Sequence, residues 1–493
     1  MIRIENVSFR YASCREYTLR HINLHIREGE FVVLLGASGC GKTTITRLVN
    51  GLVPEFFEGE LEGAVTVDGR NAAELNIQDL AGTVGSVFQD PRSQFFATDT
   101  TAEIAFSCEN AGLPREELCA RIEKAAGDLR ITGLLERSIF ELSSGEKQAV
   151  AIASVYAFSP KILVLDEPSA NLDSKATEHL RAILGTLKKR GYTILISEHR
   201  IHYLRELADR ALYIENGGIA RELGREEFGG MPNETANRLG LRSLNLSMLR
   251  PGIHRTPPKA AQLCLDGVSF DYGKGGGLLK GVSFSAGKGE IIGIVGHNGV
   301  GKSTLLELIC GLRKTRAGMI LMDGAPAGPR TRVKNTYFVM QDSDYQLFTE
   351  SVEKELYLGN GTDGGLREKG GRLLARMGLS ELTQRHPASL SGGQKQRLCI
   401  AVACMKNAGV VCFDEPTSGL DYGSMKSVTA LLHEIAEEGK TILLTSHDYE
   451  FLLGACTHIC HLKNGGVADF FAVSEQSAPK IYGILHQKEE SVL

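Results

Sequence analysis

A nine-residue string, Gly36 to Thr44 (GASGCGKTT), returns as Gly296 to Thr304 (GHNGVGKST), and it does not return alone. Val7-Ser8-Phe9-Arg10-Tyr11 reappears as Val268-Ser269-Phe270-Asp271-Tyr272, so these two matches are offset by 260 and 261 positions. Leu142-Ser143 matches Leu390-Ser391, Asp166-Glu167-Pro168 matches Asp414-Glu415-Pro416, and His199 matches His447, all at an offset of 248. Repetition over so much of the chain means one framework folded twice, and 493 residues exceed what a single core ordinarily holds together. The shrinking offset puts the length changes between Gly36 and Leu142, where loops absorb them. Gly229-Gly230, Pro232, Pro251, Pro257 and Pro258 interrupt any regular pattern between the copies. The expected organisation is a first domain over 1–228, an ordered or partly ordered linker over 229–262, a second domain over 263–475 and a C-terminal tail over 476–493.

Each copy holds short runs that are apolar without alternation. Phe31 to Leu35 and Ile291 to Val295 each end at a glycine, while Ile162 to Leu165 and Val410 to Phe413 lead into the acidic pairs. Strands apolar on both faces and separated by amphipathic helices predict an α/β core, a parallel sheet covered by helices.

The glycine-rich strings fit a phosphate loop, G-x-x-x-x-G-K-[ST], because each follows a strand and opens a helix. Gly36, Ser38, Gly39 and Gly41, with Gly296, Asn298, Gly299 and Gly301, would turn backbone N–H groups onto phosphate oxygens at a helix amino terminus. Lys42 and Lys302 would reach the terminal phosphates, and Thr43 and Ser303, with Thr44 and Thr304 beside them, would supply hydroxyls, the first pair to Mg²⁺. At the strand ends Asp166 and Asp414 can hold that ion through water, while Glu167 and Glu415 poise an attacking water. His199 and His447 follow strand-like segments and are read as contacts to the terminal phosphate, with a packing role as the rival. Gln89 and Gln341 could reach Mg²⁺ or the attacking water, or be exposed polar residues after a strand.

Bulk properties narrow the field. A net charge of -4 and a pI near 6.4 give no reason to expect a nucleic-acid-binding surface. Eleven cysteines without C-x-x-C pairs argue against a disulfide framework and for a reducing cytoplasm. Met1 to Arg10 alternates like a strand and lacks the apolar core of a signal peptide, and nowhere do about eighteen apolar residues run together, so any membrane role is expected to be peripheral. Cys456, His458, Cys460 and His461 lie close together, but their counterparts Ala208, Arg210, Leu212 and Tyr213 cannot bind metal, so a strand is expected there.

With Leu390-Ser391-Gly392-Gly393-Gln394 before a helix, the sequence resembles ATP-binding-cassette ATPases, twice over. The first copy departs from the pattern, reading Leu142-Ser143-Ser144-Gly145-Glu146. The resemblance implies two tandem phosphate-loop ATPase domains, each a mostly parallel sheet core with an antiparallel β subdomain and an α-helical signature subdomain. It implies ATP and Mg²⁺ as ligands and head-to-tail pairing of the domains. One composite site would join Gly36 to Thr44 and Glu167 with Ser391, Gly393 and Gln394; the other would join Gly296 to Thr304 and Glu415 with Ser143, Gly145 and Glu146. The second is expected to be the weaker, because Glu146 puts a carboxylate near a polyphosphate. Tyr11 and Tyr272 would stack on adenine, with core packing as the alternative, and Asp173 and Asp421 match the family's domain-contact loop.

Gln89-Asp90-Pro91-Arg92-Ser93-Gln94-Phe95-Phe96 and Gln341-Asp342-Ser343-Asp344-Tyr345-Gln346-Leu347-Phe348 are similar to segments of energy-coupling-factor importers. Those take up vitamins, vitamin precursors or transition-metal ions through a transmembrane energy-coupling subunit and a substrate-binding membrane subunit. The resemblance places Phe95, Phe96, Leu347 and Phe348 towards the membrane partner, or supporting its groove, on the cytoplasmic face of the membrane. The alternatives are that these side chains pack in their own core, and that the chain serves a sugar importer or acts as a cytosolic translation factor. Translation factors of the family carry a long charged linker and DNA-repair members carry zinc-binding C-x-x-C insertions; both are missing here.

Overall fold

The computed structural model describes residues 1–252, 261–273, 277–359 and 364–486. The chain divides into two compact units, Met1–Asn245 and Leu246–Leu493.

In the first unit the apolar runs build a six-stranded sheet in the order Gly218–Gly224, Arg210–Glu215, Phe31–Leu35, Thr193–Ser197, Ile162–Asp166, Val84–Val87. Only the pairing between Gly218–Gly224 and Arg210–Glu215 is antiparallel; the other four are parallel. Every residue of Phe31–Leu35 is buried because both sheet faces are covered. Phe31, Val33 and Leu35 enter the core under the helices on one face, while Val32 and Leu34 enter the core on the other. That second core is closed by an antiparallel sheet, Leu19–Ile26, Ile2–Tyr11, Gly59–Val67 and Arg70–Asn71 in that order. Its strands alternate, with Ile22, Leu24 and Ile26 inward and their neighbours outward, as a sheet with one wet face requires. Helices Thr100–Asn110 and Arg115–Asp128 pack on helix Ser144–Phe158 and form the helical subdomain.

The second unit repeats the plan. Its large sheet runs Thr336–Val339, Val410–Asp414, Thr441–Thr445, Ile291–Val295, His458–Lys463, Gly466–Ala472, and its antiparallel sheet runs Leu279–Gly287, Ala261–Phe270, Ala317–Met322, Ala325–Pro326. The α/β class, with its antiparallel and helical subdomains, is therefore present twice. Part of the first copy's extra length is the short helix Leu52–Glu55 and the longer strand Gly59–Val67, which answers to Ala317–Met322.

Between the copies, Arg225–Gly230 and Asn233–Arg238 are helical, and Phe228, Ala236, Leu241 and Leu244 are buried in the first unit's core. Leu246 and Leu249 pack against the second unit's core. Pro257 and Pro258 lie outside the described residues. Of the expected tail, Ala478–His486 forms a helix that buries Ala478, Ile481 and Leu485, and residues 487–493 lie outside the described residues. His458–Lys463 is a strand, as expected, with Cys460 fully buried beside Ile459. Among the described residues no group of three or more His, Cys, Asp or Glu side chains is gathered as a metal cluster, and no helix is long and apolar enough to cross a membrane.

Candidate nucleotide sites

Each phosphate loop connects the central strand of its sheet to a helix, Phe31–Leu35 to Lys42–Val49 and Ile291–Val295 to Lys302–Ile309. Gly41 and Gly301 precede these helices with φ of 111° and 104°, a conformation that side chains rarely adopt. A Cβ on Gly41 would also lie 2.6 Å from Leu19 Cδ2, so the loop and the antiparallel sheet approach closely only because this residue is glycine. The Lys42 ammonium is buried and donates to the carbonyls of Gly36 (2.9 Å) and Ala37 (3.0 Å); Lys302 does the same to Gly296 (2.9 Å) and His297 (3.2 Å). A buried cation held by neutral carbonyls, over a loop of backbone N–H groups, is a donor set that suits a polyphosphate.

Beside the loop, the Thr43 hydroxyl donates to Asp166 Oδ1 (3.1 Å), and Ser197 donates to the same oxygen. In the second unit Thr445 donates to Asp414 (2.6 Å), with Ser303 also bonded to that carboxylate. Burial pushes both aspartate carboxyls up, partly opposed by these hydroxyls, and the following glutamate adds like charge. Two adjacent carboxylates and a hydroxyl form an oxygen-rich set that suits a hard divalent cation.

Glu167 and Glu415 turn away from their strands with φ of 44° and 49°, left-handed values that cost a non-glycine residue energy and recur in both copies. The turn brings Glu167 Oε1 to 3.0 Å from His199 Nε2, and Gln89 Nε2 donates to Glu167 Oε2 (3.0 Å). Ser38 Oγ lies 3.4 Å from the same histidine nitrogen, so loop, histidine and carboxylate meet. In the second unit His447 Nε2 lies 3.5 Å from Glu415 Oε1, and the His447 N–H donates to Glu415 Oε2 (3.4 Å). Exposed Gln341 makes no such bond among the described residues.

Tyr11 sets its ring edge-on to Phe9 and its hydroxyl 3.1 Å from Thr44 Oγ1; Tyr272 does likewise with Phe270 and Thr304 (3.0 Å). Both tyrosines thus stand at the edge of the loop helix, and the Thr44 and Thr304 hydroxyls are directed to them. Ser143 and Ser391 cap helices Ser144–Phe158 and Gly392–Met405, each in a reciprocal box with Glu146 or Gln394. Gly145 sits where a Cβ would come within 2.5 Å of Ala176 Cβ, so this glycine also permits helix packing. Asp173 and Asp421 cap the next helices, accepting from Ala176 N–H (2.8 Å) and Ser424 N–H (2.7 Å).

Three features escaped the motif reading. Glu103 and Glu355, both buried, accept two backbone N–H groups each, from Phe96 and Ala97 and from Phe348 and Thr349, at 2.8–2.9 Å. Arg137 pairs with Glu146 at 3.0 Å. Glu198 is buried next to His199. Only the recurrence of Glu103 as Glu355, at the same offset as Gln89 and Gln341, was a signal in the sequence.

A phosphate loop, an acidic strand end, a histidine at the neighbouring strand and a serine-capped signature helix in one α/β unit define an ATP-binding-cassette ATPase. The ABC transporter family model matches residues 19–170 and 279–418, and the chain belongs to that family, whose cassettes bind and hydrolyse ATP. A "Putative ABC transporter ATP-binding protein" of Treponema denticola is 44% identical over 95% of this chain and 96% of its own length. A "Putative HMP/thiamine import ATP-binding protein" of Bacillus subtilis is 31% identical over 95% of this chain and 91% of its own. A crystal structure of an archaeal ribosome recycling factor, in complex with a ribosomal stalk protein, aligns with a TM-score of 0.65 over 97% of this chain and 92% of that one; at 21% identity this likeness concerns the fold.

Proposed function

We propose that the chain is the motor subunit of an energy-coupling-factor type importer. Its two units would pair head to tail on the cytoplasmic face of the membrane and drive separate membrane subunits, one that couples energy and one that selects a vitamin, a vitamin precursor or a transition-metal ion. In the first composite site Lys42 and the loop from Gly36 to Thr44 hold the phosphates, Tyr11 lies against adenine, Glu167 orients water for attack on the terminal phosphorus, and His199 steadies that arrangement. Ser391, Gly393 and Gln394 close it from the other unit. The second site uses Lys302 with the loop from Gly296 to Thr304, Tyr272, Glu415 and His447, closed by Ser143 and Gly145. Attack displaces ADP and yields inorganic phosphate, so binding and positioning supply most of the catalysis. Asp166, Thr43 and Gln89, and Asp414, Ser303 and Gln341, are the residues that would hold Mg²⁺, whose charge offsets that of the phosphates. ATP favouring the closed pair over the open one makes hydrolysis a mechanical step.

The observation that carries the importer reading is the pair of outward aromatics. Gln94 and Gln346 turn back to bond their own loops, at Phe88 and Ser86 and at Met340 and Phe338, and so shape the segment. Phe95 and Leu347 pack on their own cores, whereas Phe96 and Phe348 are 73% and 75% exposed although their backbones are fixed by buried carboxylates. A rigidly presented, exposed ring is suited to a partner's helix. The relative named for HMP/thiamine import supports the same reading. In source-cell membranes dissolved in mild detergent, the chain should co-purify with an integral membrane subunit, and Phe96→Asp with Phe348→Asp should abolish that association while leaving the protein folded. Retention by the double variant, or capture on ribosomes instead, refutes the importer reading.

A further inference from the structure

The two units differ immediately before the histidine. Where the second unit has Thr445-Ser446-His447-Asp448, the first has Ser197-Glu198-His199-Arg200. Glu198 is 2% exposed and accepts four hydrogen bonds. Oε1 takes the Ser169 N–H (3.0 Å) and the Tyr203 hydroxyl (2.8 Å), and Oε2 takes the N–H groups of His199 (2.7 Å) and Arg200 (3.2 Å). Burial pushes this carboxyl up, and the donors around it favour its charged form.

These bonds close a ring. Ser169 lies two residues beyond Glu167; from its N–H the path runs through Glu198 to the His199 backbone, and from the His199 ring back to Glu167 at 3.0 Å. Arg200 adds a second strap, donating to the Leu172 carbonyl (2.9 Å) just before Asp173. Glu198 takes the His199 N–H, and Glu167 Oε2 accepts from Gln89. The second unit solves the same stretch differently. The Ser446 hydroxyl accepts from the Asp448 N–H (3.1 Å), Asp448 caps helix Tyr449–Ala455, and the His447 N–H turns to Glu415 itself. In the first unit a 3₁₀ turn, His202–Leu204, stands in place of that helix and delivers Tyr203 to Glu198.

We propose that Glu198 is a positioning residue for ATP hydrolysis in the first unit: it ties the His199 backbone to the segment beyond Glu167 and thereby presets the Glu167–His199 pair, whereas the second unit has Ser446 at the corresponding position. The inference rests on Glu167 being the residue that orients the water. It makes the two hydrolytic centres unequal by construction, the first tied through Glu198 and the second through a direct bond from the His447 N–H to Glu415.

The test uses the full chain carrying Glu415→Gln, so that turnover reports the first centre. In that background Glu198→Ser, which installs the second unit's residue, should lower kcat about tenfold, the scale of a small misplacement of catalytic groups. Affinity for a non-hydrolysable ATP analogue should stay within about twofold, since the phosphate loop is untouched, and Glu198→Gln, which keeps one acceptor oxygen, should recover part of the loss. A kcat unchanged by Glu198→Ser in folded protein overturns the proposal, as does a loss of kcat matched by an equal loss of analogue binding. If Glu198→Ser does not fold, Tyr203→Phe removes one of the four donors and should lower kcat about threefold at unchanged affinity; no change there also overturns it. Glu167→Gln in the same background separates the premise, because turnover that survives that change refutes the role of Glu167 rather than that of Glu198.

Discussion

Glu146 stands where the second copy has Gln394, and the structure tempers what its charge was expected to do. Its Oε2 accepts the N–H and the hydroxyl of Ser143, both at 2.8 Å, and its Oε1 accepts from Arg137 at 3.0 Å, so the carboxylate closes its own helix. Burial raises this carboxyl's pKa, but the Ser143 and Arg137 bonds outweigh it and hold it below the ordinary range. A depressed carboxylate pKa contributes stability at neutral pH that is lost on acidification through the folded value, so the charge is present at neutral pH. On the proposed head-to-tail pairing, Arg137 is the residue that keeps this charge from opposing phosphate. With the first centre silenced by Glu167→Gln, Arg137→Ala should raise the KM for ATP about fivefold, on the order of 1 kcal/mol of unscreened repulsion. The charge-neutral pair Arg137→Ala with Glu146→Gln should return it close to the parent value. An unchanged KM in the single variant would mean that Glu146 does not face nucleotide at all. At this scale the motif residues were legible, because their spacing is imposed by phosphate geometry. Glu198, Glu103 and Arg137 were not, since a carboxylate or guanidinium whose partners are backbone groups or distant side chains leaves no periodic mark in the sequence.

Elements were legible where burial is two-sided and hidden where a few side chains decide it. Phe31 to Leu35 and Ile291 to Val295 read as strands because short runs without a polar residue suit a parallel sheet covered on both faces. Residues 229–262 read as punctuation, yet Pro232 precedes helix Asn233–Arg238, which buries Ala236 in the first core. Prolines and glycines there bound short helices, and single buried residues such as Phe228 anchor them, too few to produce a period. The glutamine-aromatic segments belong with these, since helix residues Glu103 and Glu355 order a loop that precedes them. Replacing Glu103 by alanine strips two backbone N–H groups of their acceptor and should cost about 1–3 kcal/mol of unfolding free energy in urea titrations. Phe96→Ala, by contrast, removes a mostly exposed ring stacked on Phe106 (centroids 4.8 Å) and should cost no more than about 1 kcal/mol. Equal effects from the two would show that the loop is held by its rings rather than by the carboxylate.

Each unit owns two apolar cores, one on either face of its large sheet, and its phosphate loop, acidic pair and histidine all come from its own chain segment. What neither unit positions over its own phosphate loop, on the proposed pairing, is a signature helix: Ser391 serves Lys42, and Ser143 serves Lys302. Folding and catalysis should therefore separate experimentally. Chains cut between Asn245 and Leu246 should each unfold cooperatively, as domains with complete cores do. Each should bind ATP through its own loop. Turnover by either half while monomeric should fall at least about a hundredfold below the intact chain, because effective concentrations in the millimolar range that a tether supplies are lost with it. Mixing the halves should restore activity with a second-order dependence on concentration, and Ser391→Arg in the second half should block hydrolysis at Glu167 of the first. Full-rate hydrolysis by a half that analytical ultracentrifugation finds monomeric would mean that one unit is a complete enzyme, and the head-to-tail motor would have to be abandoned.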